Sequence, residues 1–164
     1  MTGFIWRARP YMDTSTNKST AVGHSNKDFT IPTNKIVKSQ VTQVVLSIAN
    51  SARTADPRLW VYIIDQRDHP ATSSDVVLKF PAPATQALNT TRNYLIGDLH
   101  PNVFDTDAAV VLAATDYLVI PIPELVLSTA MLVRFYIEND TGVATDHMDV
   151  YGTYLIADKS GGPG

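Results

Sequence analysis

Aspartate and histidine residues in two short segments could do chemistry. The first segment places Asp65, Asp68 and His69 within one predicted loop. A metal ion needs several ligands that converge in a fixed geometry, and Asp with His is a workable ligand set. The same three residues are typical of a solvated hairpin loop, which is their commoner setting. We therefore predict a structural loop here and no metal site.

The second segment lies beside the last predicted strand and contains Asp146, His147 and Asp149. Residues two apart in an extended segment share a face, so His147 and Asp149 lie on one side and Asp146 on the other. A His–carboxylate pair of this kind can tune a general base. No serine stands in a Gly-x-Ser-x-Gly context and the chain has no cysteine, so no recognisable nucleophile accompanies the pair. We interpret it as a hairpin end with a surface ion pair.

Other patterns that would indicate an enzyme are incomplete. Cupin enzymes bind metal through clustered histidines, whereas the histidines here are far apart and form no His-x-His pair: His24, His69, His100 and His147. Asp105 and Asp107 resemble the start of a calcium loop, but alanines follow them and no glutamate closes the loop. We therefore predict a protein that is not an enzyme, with no catalytic residue, no metal ligand and no cofactor.

Composition and charge exclude several classes of protein. The 164 residues suit one domain, and with 45% hydrophobic and 18% charged residues the chain is neither wholly disordered nor a charged coiled coil. The net charge is −3 and the basic residues are scattered, so we expect no direct nucleic-acid binding. The longest apolar runs, residues 59–64 and 125–133, are too short or too interrupted to span a membrane.

Residue alternation predicts the fold class. Valine, isoleucine, threonine and tyrosine are plentiful while good helix formers are scarce, which favours strands. We predict an all-β chain folded as an antiparallel β-sandwich of about eight strands, as a jelly roll or another Greek key. The core is expected to contain Leu46, Ile48, Trp60, Tyr62, Ile64, Leu78, Phe80, Val133, Phe135, Ile137, Val150 and Ile156.

The chain divides into three parts by polarity. Residues 1–28 are predicted to be an extended N-terminal arm, although residues 4–12 could instead form a short strand. Residues 29–157 are predicted to be the β-sandwich, and residues 158–164 a flexible-type tail. Most of residues 12–28 are polar, and such a segment buries too little apolar surface to offset its ordering entropy. We therefore expect the arm to contact other chains, with its large apolar groups as anchors: Phe4, Ile5, Trp6 and Tyr11.

The aromatic residues leave an alternative function open. A row of exposed rings could form a sugar-stacking platform, as in carbohydrate-binding β-sandwiches. Most of the available rings lie inside predicted strands, where packing in a core or interface is the commoner role: Trp6, Tyr11, Trp60, Tyr62, Tyr94, Tyr117, Tyr136, Tyr151 and Tyr154. An exposed, coplanar row of Trp and Tyr would favour the binding module.

The chain as a whole resembles viral capsid-associated jelly rolls. Its small size, lack of cysteine, predicted β-sandwich, extended arms and absence of an N-terminal export signal carry this resemblance. The class includes the cement or decoration proteins of tailed phages and the small single-jelly-roll coat proteins. Coat proteins that package the genome often have a basic arm, whereas the basic residues of this arm, Arg7, Arg9, Lys18 and Lys27, are partly balanced by Asp13 and Asp28.

The resemblance implies a structural virion protein. It implies a cement or decoration protein that stabilises the joints of an icosahedral shell, made in the host cytoplasm and located on the outer capsid surface. The implied partners are the capsid shell protein and copies of the chain itself, with a trimer on a threefold axis as one arrangement. A small coat protein and a carbohydrate- or receptor-binding module are the alternatives.

Overall fold

Ten strands form two sheets in the computed structural model, which describes residues 5–13, 25–48, 56–66, 76–98, 117–138 and 146–158. The described residues contain no helix that is long and apolar enough to cross a membrane. The strands are β1 (Arg7–Asp13), β2 (Ser25–Thr30), β3 (Lys35–Ile48), β4 (Arg58–Asp65), β5 (Val76–Pro81), β6 (Thr90–Gly97), β7 (Tyr117–Pro121), β8 (Val126–Ser128), β9 (Met131–Glu138) and β10 (His147–Asp158).

Turn residues at the strand starts help to position β3 and β6. Asn34 and Asn89, immediately before β3 and β6, adopt the left-handed backbone region with φ of 59° and 56°. Asparagine tolerates this region better than most residues. The turn before β3 is closed by a hydrogen bond from Lys35 N to Pro32 O at 3.1 Å. This hydrogen bond satisfies the Lys35 backbone N–H as the chain turns into β3.

The two sheets have six and four strands. The six-stranded sheet has the order β1-β10-β3-β6-β7, with β8 also paired to β3, and the four-stranded sheet has the order β2-β9-β4-β5. The pairs are antiparallel except for β6 with β7, which is parallel. The prediction of an all-β sandwich is therefore confirmed, with two more strands than expected.

Four of the strand pairs are nested within one another along the chain. The innermost pair is β4 with β5, followed by β3 with β6, β2 with β9, and β1 with β10. The short strands β7 and β8 are inserted between β6 and β9. Eight of the ten strands therefore follow the path of one long hairpin, and the pairs β10·β3 and β9·β4 wrap that hairpin into two sheets.

One apolar core fills the space between the sheets. Val44 and Leu46 of β3 contribute from the six-stranded sheet, while Leu59 and Val61 of β4 contribute from the four-stranded sheet. Of the residues predicted to form the core, seven are buried: Leu46, Ile48, Ile64, Val133, Phe135, Ile137 and Val150. Phe80 and Ile156 are partly buried against it.

Three residues predicted to lie in the core do not. Trp60 and Tyr62 belong to the outer face of β4, because Leu59, Val61 and Ile63 take the alternate, inward positions. Leu78 is 39% exposed, since β5 is the edge strand of its sheet and has a neighbour on one side only. The prediction was wrong at these three positions.

The described part of the N-terminal segment belongs to the sandwich. Arg7–Asp13 forms the edge strand β1 beside β10, and Ser25–Thr30 forms the edge strand β2 beside β9. The predicted arm boundary at residue 28 thus falls inside a strand. A polar segment can pair at a sheet edge because its backbone gains hydrogen bonds while only alternate side chains meet the core. At the other end, β10 reaches Asp158, the first residue of the predicted tail.

Candidate interaction surfaces

The predicted anchors of the N-terminal segment have different environments. Ile5 is 77% exposed, whereas Trp6 is half-buried with the Lys38 Nζ atom 5.3 Å from its ring centroid. Tyr11 meets the ring of Phe29 edge-on at a centroid distance of 4.7 Å. Phe4 lies outside the described residues. Of the described anchors, Ile5 is therefore the one that presents most of its surface, while Trp6 and Tyr11 also contact their own chain.

Trp6 lies against Lys38 on the outer face of the six-stranded sheet, and the exposed Ile5 precedes Trp6 in the chain. Lys38 beneath Trp6 forms an ion pair with Glu124 at 2.5 Å and is paired across strands with Val126, which is 55% exposed. We call these five residues the N-terminal patch: Ile5, Trp6, Lys38, Glu124 and Val126. It combines two exposed aliphatic side chains and an aromatic ring, which suit the centre of a protein–protein interface, with an ion pair that suits the polar rim.

A second surface covers the outer face of the four-stranded sheet. Trp60 and Tyr62 of β4 lie beside Tyr136 of β9, with ring centroids 6.0 Å apart for Trp60–Tyr62 and 5.3 Å apart for Tyr62–Tyr136. The Lys79 Nζ atom of β5 is 5.6 Å from the centroid of Tyr62. We call this surface the aromatic face, and it comprises Asp28, Trp60, Tyr62, Lys79, Arg134, Tyr136 and Glu138.

Polar groups hold the aromatic face in one arrangement. Arg134 Nε and Nη2 each donate a hydrogen bond to Asp28 at 2.7 Å, and this bond raises the pKa of the arginine. Trp60 Nε1 donates to Glu138 Oε2 at 2.8 Å. Burial, together with Tyr136 and Glu138, raises the pKa of Tyr62 above its ordinary value. The face is therefore ordered by its own contacts before anything binds to it.

The geometry of the rings does not match a sugar-stacking platform. The planes of Tyr62 and Tyr136 are only 23° apart in a stacked arrangement, and Trp60 is tilted by 57° from Tyr62. The faces of the tyrosine rings thus pack on each other instead of lying side by side toward solvent. A pyranose needs an open ring face, so these rings do not form the coplanar row expected of a carbohydrate-binding module.

The structure describes only some of the aspartate and histidine residues that the sequence analysis considered for catalysis or metal binding. His147 Nε2 lies 2.8 Å from Asp149 Oδ1 on the outer face of β10, as predicted, but without the alignment of a hydrogen bond. Asp146 precedes the strand and is buried. The other histidines, Asp68, Asp105 and Asp107 lie outside the described residues. The part of the chain that the structure describes contains no group of three or more His, Asp or Glu residues that could hold a metal.

Two small cavities lie inside the sandwich near Thr42. One has a volume of about 40 Å³ and is lined in part by Tyr11 of β1 and Phe29 of β2, and the other has a volume of about 30 Å³. Thr42, Val133 and Phe135 line both. A cavity of about 150 Å³ is needed for a benzene-sized molecule, so these spaces suit a few water molecules at most. The outer surfaces are therefore better candidates for function than the interior.

Comparison with known proteins assigns the chain to no family. The chain matches no family model, and none of the curated proteins is significantly similar to it.

Proposed function

We propose that this protein is a jelly-roll structural protein of a virion, a cement or decoration protein that stabilises the joints of an icosahedral shell. The nested pairing of eight strands supports the jelly-roll assignment, because a long hairpin wrapped into two sheets produces two Greek keys. Capsid proteins, lectins and cupins all use that architecture. A jelly roll is therefore compatible with each of these three classes of protein and does not by itself distinguish among them.

The observation that carries the proposal is the presence of two candidate interaction surfaces, one on the outer face of each sheet. The N-terminal patch lies outside the six-stranded sheet, and the aromatic face lies outside the four-stranded sheet. A protein that stabilises joints must contact at least two neighbours at once. Repetition around a symmetric shell then multiplies two modest interfaces through effective concentration.

The N-terminal patch is the surface that we assign to the shell protein. Ile5 is exposed and precedes β1, so it can enter a neighbour's groove without disturbing the sheet. Trp6 is held in place by Lys38, which reduces the entropy that Trp6 loses on binding. Buried anchors of this kind cost about 2 kcal/mol or more of binding energy when they are truncated.

Immunogold electron microscopy of intact particles, with antibodies to the purified chain, tests this function. A cement protein is labelled on intact particles, whereas a coat protein beneath another layer is labelled only after disruption. If gradient-purified particles carry no label in either state, the virion assignment is wrong. Binding of the unlabelled chain to a glycan array would instead support the carbohydrate-binding alternative.

A pair of variants tests the role of the N-terminal patch. Ile5→Asp should remove particle binding, because a charge cannot enter an apolar groove without a large desolvation cost. Ala87→Asp is the matched control, since Ala87 is exposed in the β5–β6 loop and belongs to neither surface. If both variants bind particles as the unmodified chain does, the N-terminal patch is not the shell contact.

A further inference from the structure

The aromatic face has a regular cross-strand order. One row runs across the sheet as Asp28 on β2, Arg134 on β9, Tyr62 on β4 and Lys79 on β5. The row therefore begins with a negative charge at one edge of the sheet and ends with a positive charge at the other. Lys79 is exposed, and Asp28 keeps 30% of its side-chain surface exposed despite its bonds to Arg134.

The adjacent row is apolar in its centre. Tyr136 on β9 is paired with Trp60 on β4, which is paired with Pro81 on β5. The midline of the four-stranded sheet lies between β9 and β4. The aromatic side chains thus lie on both sides of the midline, while the opposite charges of Asp28 and Lys79 lie at equal distances from it.

A surface with this order is complementary to itself. Rotation by 180° about an axis that runs parallel to the strands, above the midline, keeps each row at its own height and exchanges the two edges. Lys79 of one copy then opposes Asp28 of the other, and Arg134 opposes Tyr62. In the next row Tyr136 opposes Trp60. An isologous interface requires this kind of reciprocal match.

We propose that two copies of this chain pair through the aromatic face around a twofold axis parallel to the strands. A twofold axis perpendicular to the strands would exchange the two rows and place Lys79 opposite Pro81, with no pairing of opposite charges. The parallel axis is therefore the one that the charges select. This inference does not rest on the proposed virion function, because it follows from the register of the four-stranded sheet alone.

The distances allow the pairing. At a strand spacing of about 4.8 Å, Asp28 and Lys79 each lie roughly 7 Å from the midline. Stacked sheets are usually rotated by about 30°, which displaces the two groups by about 4 Å, within reach of the long lysine side chain. The face is only four strands wide, roughly 19 Å. The free dimer is consequently weak, and it becomes important where the chains are concentrated, as on a shell.

Cross-linking between two single variants tests the axis directly. The chain contains no cysteine, so each introduced thiol is the only one present. A mixture of Lys79→Cys chains with Asp28→Cys chains should form a disulfide-linked dimer under mild oxidation. Each variant alone should not, because identical residues lie at opposite edges of the dimer. Thr91→Cys, exposed on the outer face of the six-stranded sheet, is the control.

The remaining cross-linking outcomes overturn the proposal. If Lys79→Cys chains link to Pro81→Cys chains as readily as to Asp28→Cys chains, the axis is not parallel to the strands. If Lys79→Cys chains link to one another, or if no pair links faster than the Thr91→Cys control, the aromatic face does not pair in the proposed way.

Sedimentation analysis tests self-association without altering Asp28. Lys79→Glu opposes two carboxylates across the interface, so we expect self-association to weaken by at least about tenfold. Because Lys79 is exposed, this variant should keep the thermal stability of the unmodified chain. Equal association of Lys79→Glu and the unmodified chain, or a purely monomeric unmodified chain at high concentration, would overturn the proposal.

Discussion

Among single residues, Gly152 lies where the backbone of β10 closely approaches the side chain of Thr42. This glycine lies beside a register shift in β10, and a Cβ atom there would be 2.9 Å from Thr42 Oγ1. We expect Gly152→Ala to reduce the free energy of unfolding by about 1–3 kcal/mol, as overpacking does elsewhere. Chemical denaturation measures this loss.

A second substitution separates this steric effect from other causes. Thr42→Ala removes the hydroxyl that the new methyl group would meet, so the Gly152→Ala penalty should shrink in that background. Thr42→Ser keeps the hydroxyl and should leave most of the penalty in place. An equal penalty in the alanine and serine backgrounds would show that the clash is not the cause.

Tyr94 makes stability dependent on alkaline pH. It is fully buried and its hydroxyl donates to Gln86 Oε1 at 2.9 Å, while Gln86 Nε2 donates to the carbonyl oxygens of Leu46 and Thr90. Burial raises the pKa of Tyr94 above the ordinary value of 10.0, although Arg92 opposes this. The folded protein therefore retains the tyrosine proton at a pH where the unfolded chain has lost it.

The direction of the pH effect on stability follows from the difference between the pKa of Tyr94 in the folded and in the unfolded chain. Unfolding releases a proton above pH 10, so the free energy of unfolding should fall as the pH rises through and beyond that value. Tyr94→Phe should cost about 1–3 kcal/mol at neutral pH, because Gln86 Oε1 loses its donor. It should also flatten the alkaline decline, with a remainder due to Tyr62. A decline of unchanged slope in Tyr94→Phe would contradict this assignment.

At the scale of strands, alternation predicts one face well when the other face is polar. In β9, Val133, Phe135 and Ile137 were assigned to the core and are buried there. The run from Leu59 to Ile64 in β4 is apolar at every position, so the pattern does not reveal which side faces inward. The interior takes the aliphatic side chains. The outer face takes Trp60 and Tyr62, whose polar atoms need partners.

The surfaces were harder to predict than the strands. Alternation within β9 indicates which of its residues share a face, but the aromatic face also needs the pairing of Trp60 with Tyr136 and of Tyr62 with Lys79. Those pairs join distant parts of the chain, and alternation carries no information about register between strands. Likewise, nothing local in the polar residues 25–28 indicates that they form part of the edge strand β2.

Truncation of two neighbours in β9 tests the assignment of its faces. Phe135 is 3% exposed in the core, so Phe135→Ala should cost about 3–5 kcal/mol. Tyr136 is half-buried on the aromatic face, so Tyr136→Ala should cost much less at a concentration where the chain is monomeric. Equilibrium denaturation compares the two. Similar losses, or a larger loss for Tyr136→Ala, would mean that the register of β9 is shifted by one residue.

For the complete fold, the nested arrangement of the strand pairs predicts the order in which the pairs form. The pair β4·β5 closes the shortest loop, whereas β1·β10 joins the two ends of the described chain. Loop-closure entropy makes distant pairs costly until inner pairs have formed. We therefore expect the inner hairpin to be structured in the folding transition state and the outermost pair to form last, with refolding in roughly milliseconds to seconds.

Two valine truncations distinguish the inner strand pairs from the outer strand pairs. Val61 in β4 and Val150 in β10 are both fully buried, so the same deletion of two methyl groups is compared in equivalent surroundings. Val61→Ala should slow folding, because its contacts are present in the transition state. Val150→Ala should mainly speed unfolding, because β10 docks later. Stopped-flow measurements across denaturant concentrations separate the two rates. If Val150→Ala slows folding as much as Val61→Ala does, the sheet assembles from its outer strands or everywhere at once, and the nested order of pairing does not govern how this chain folds.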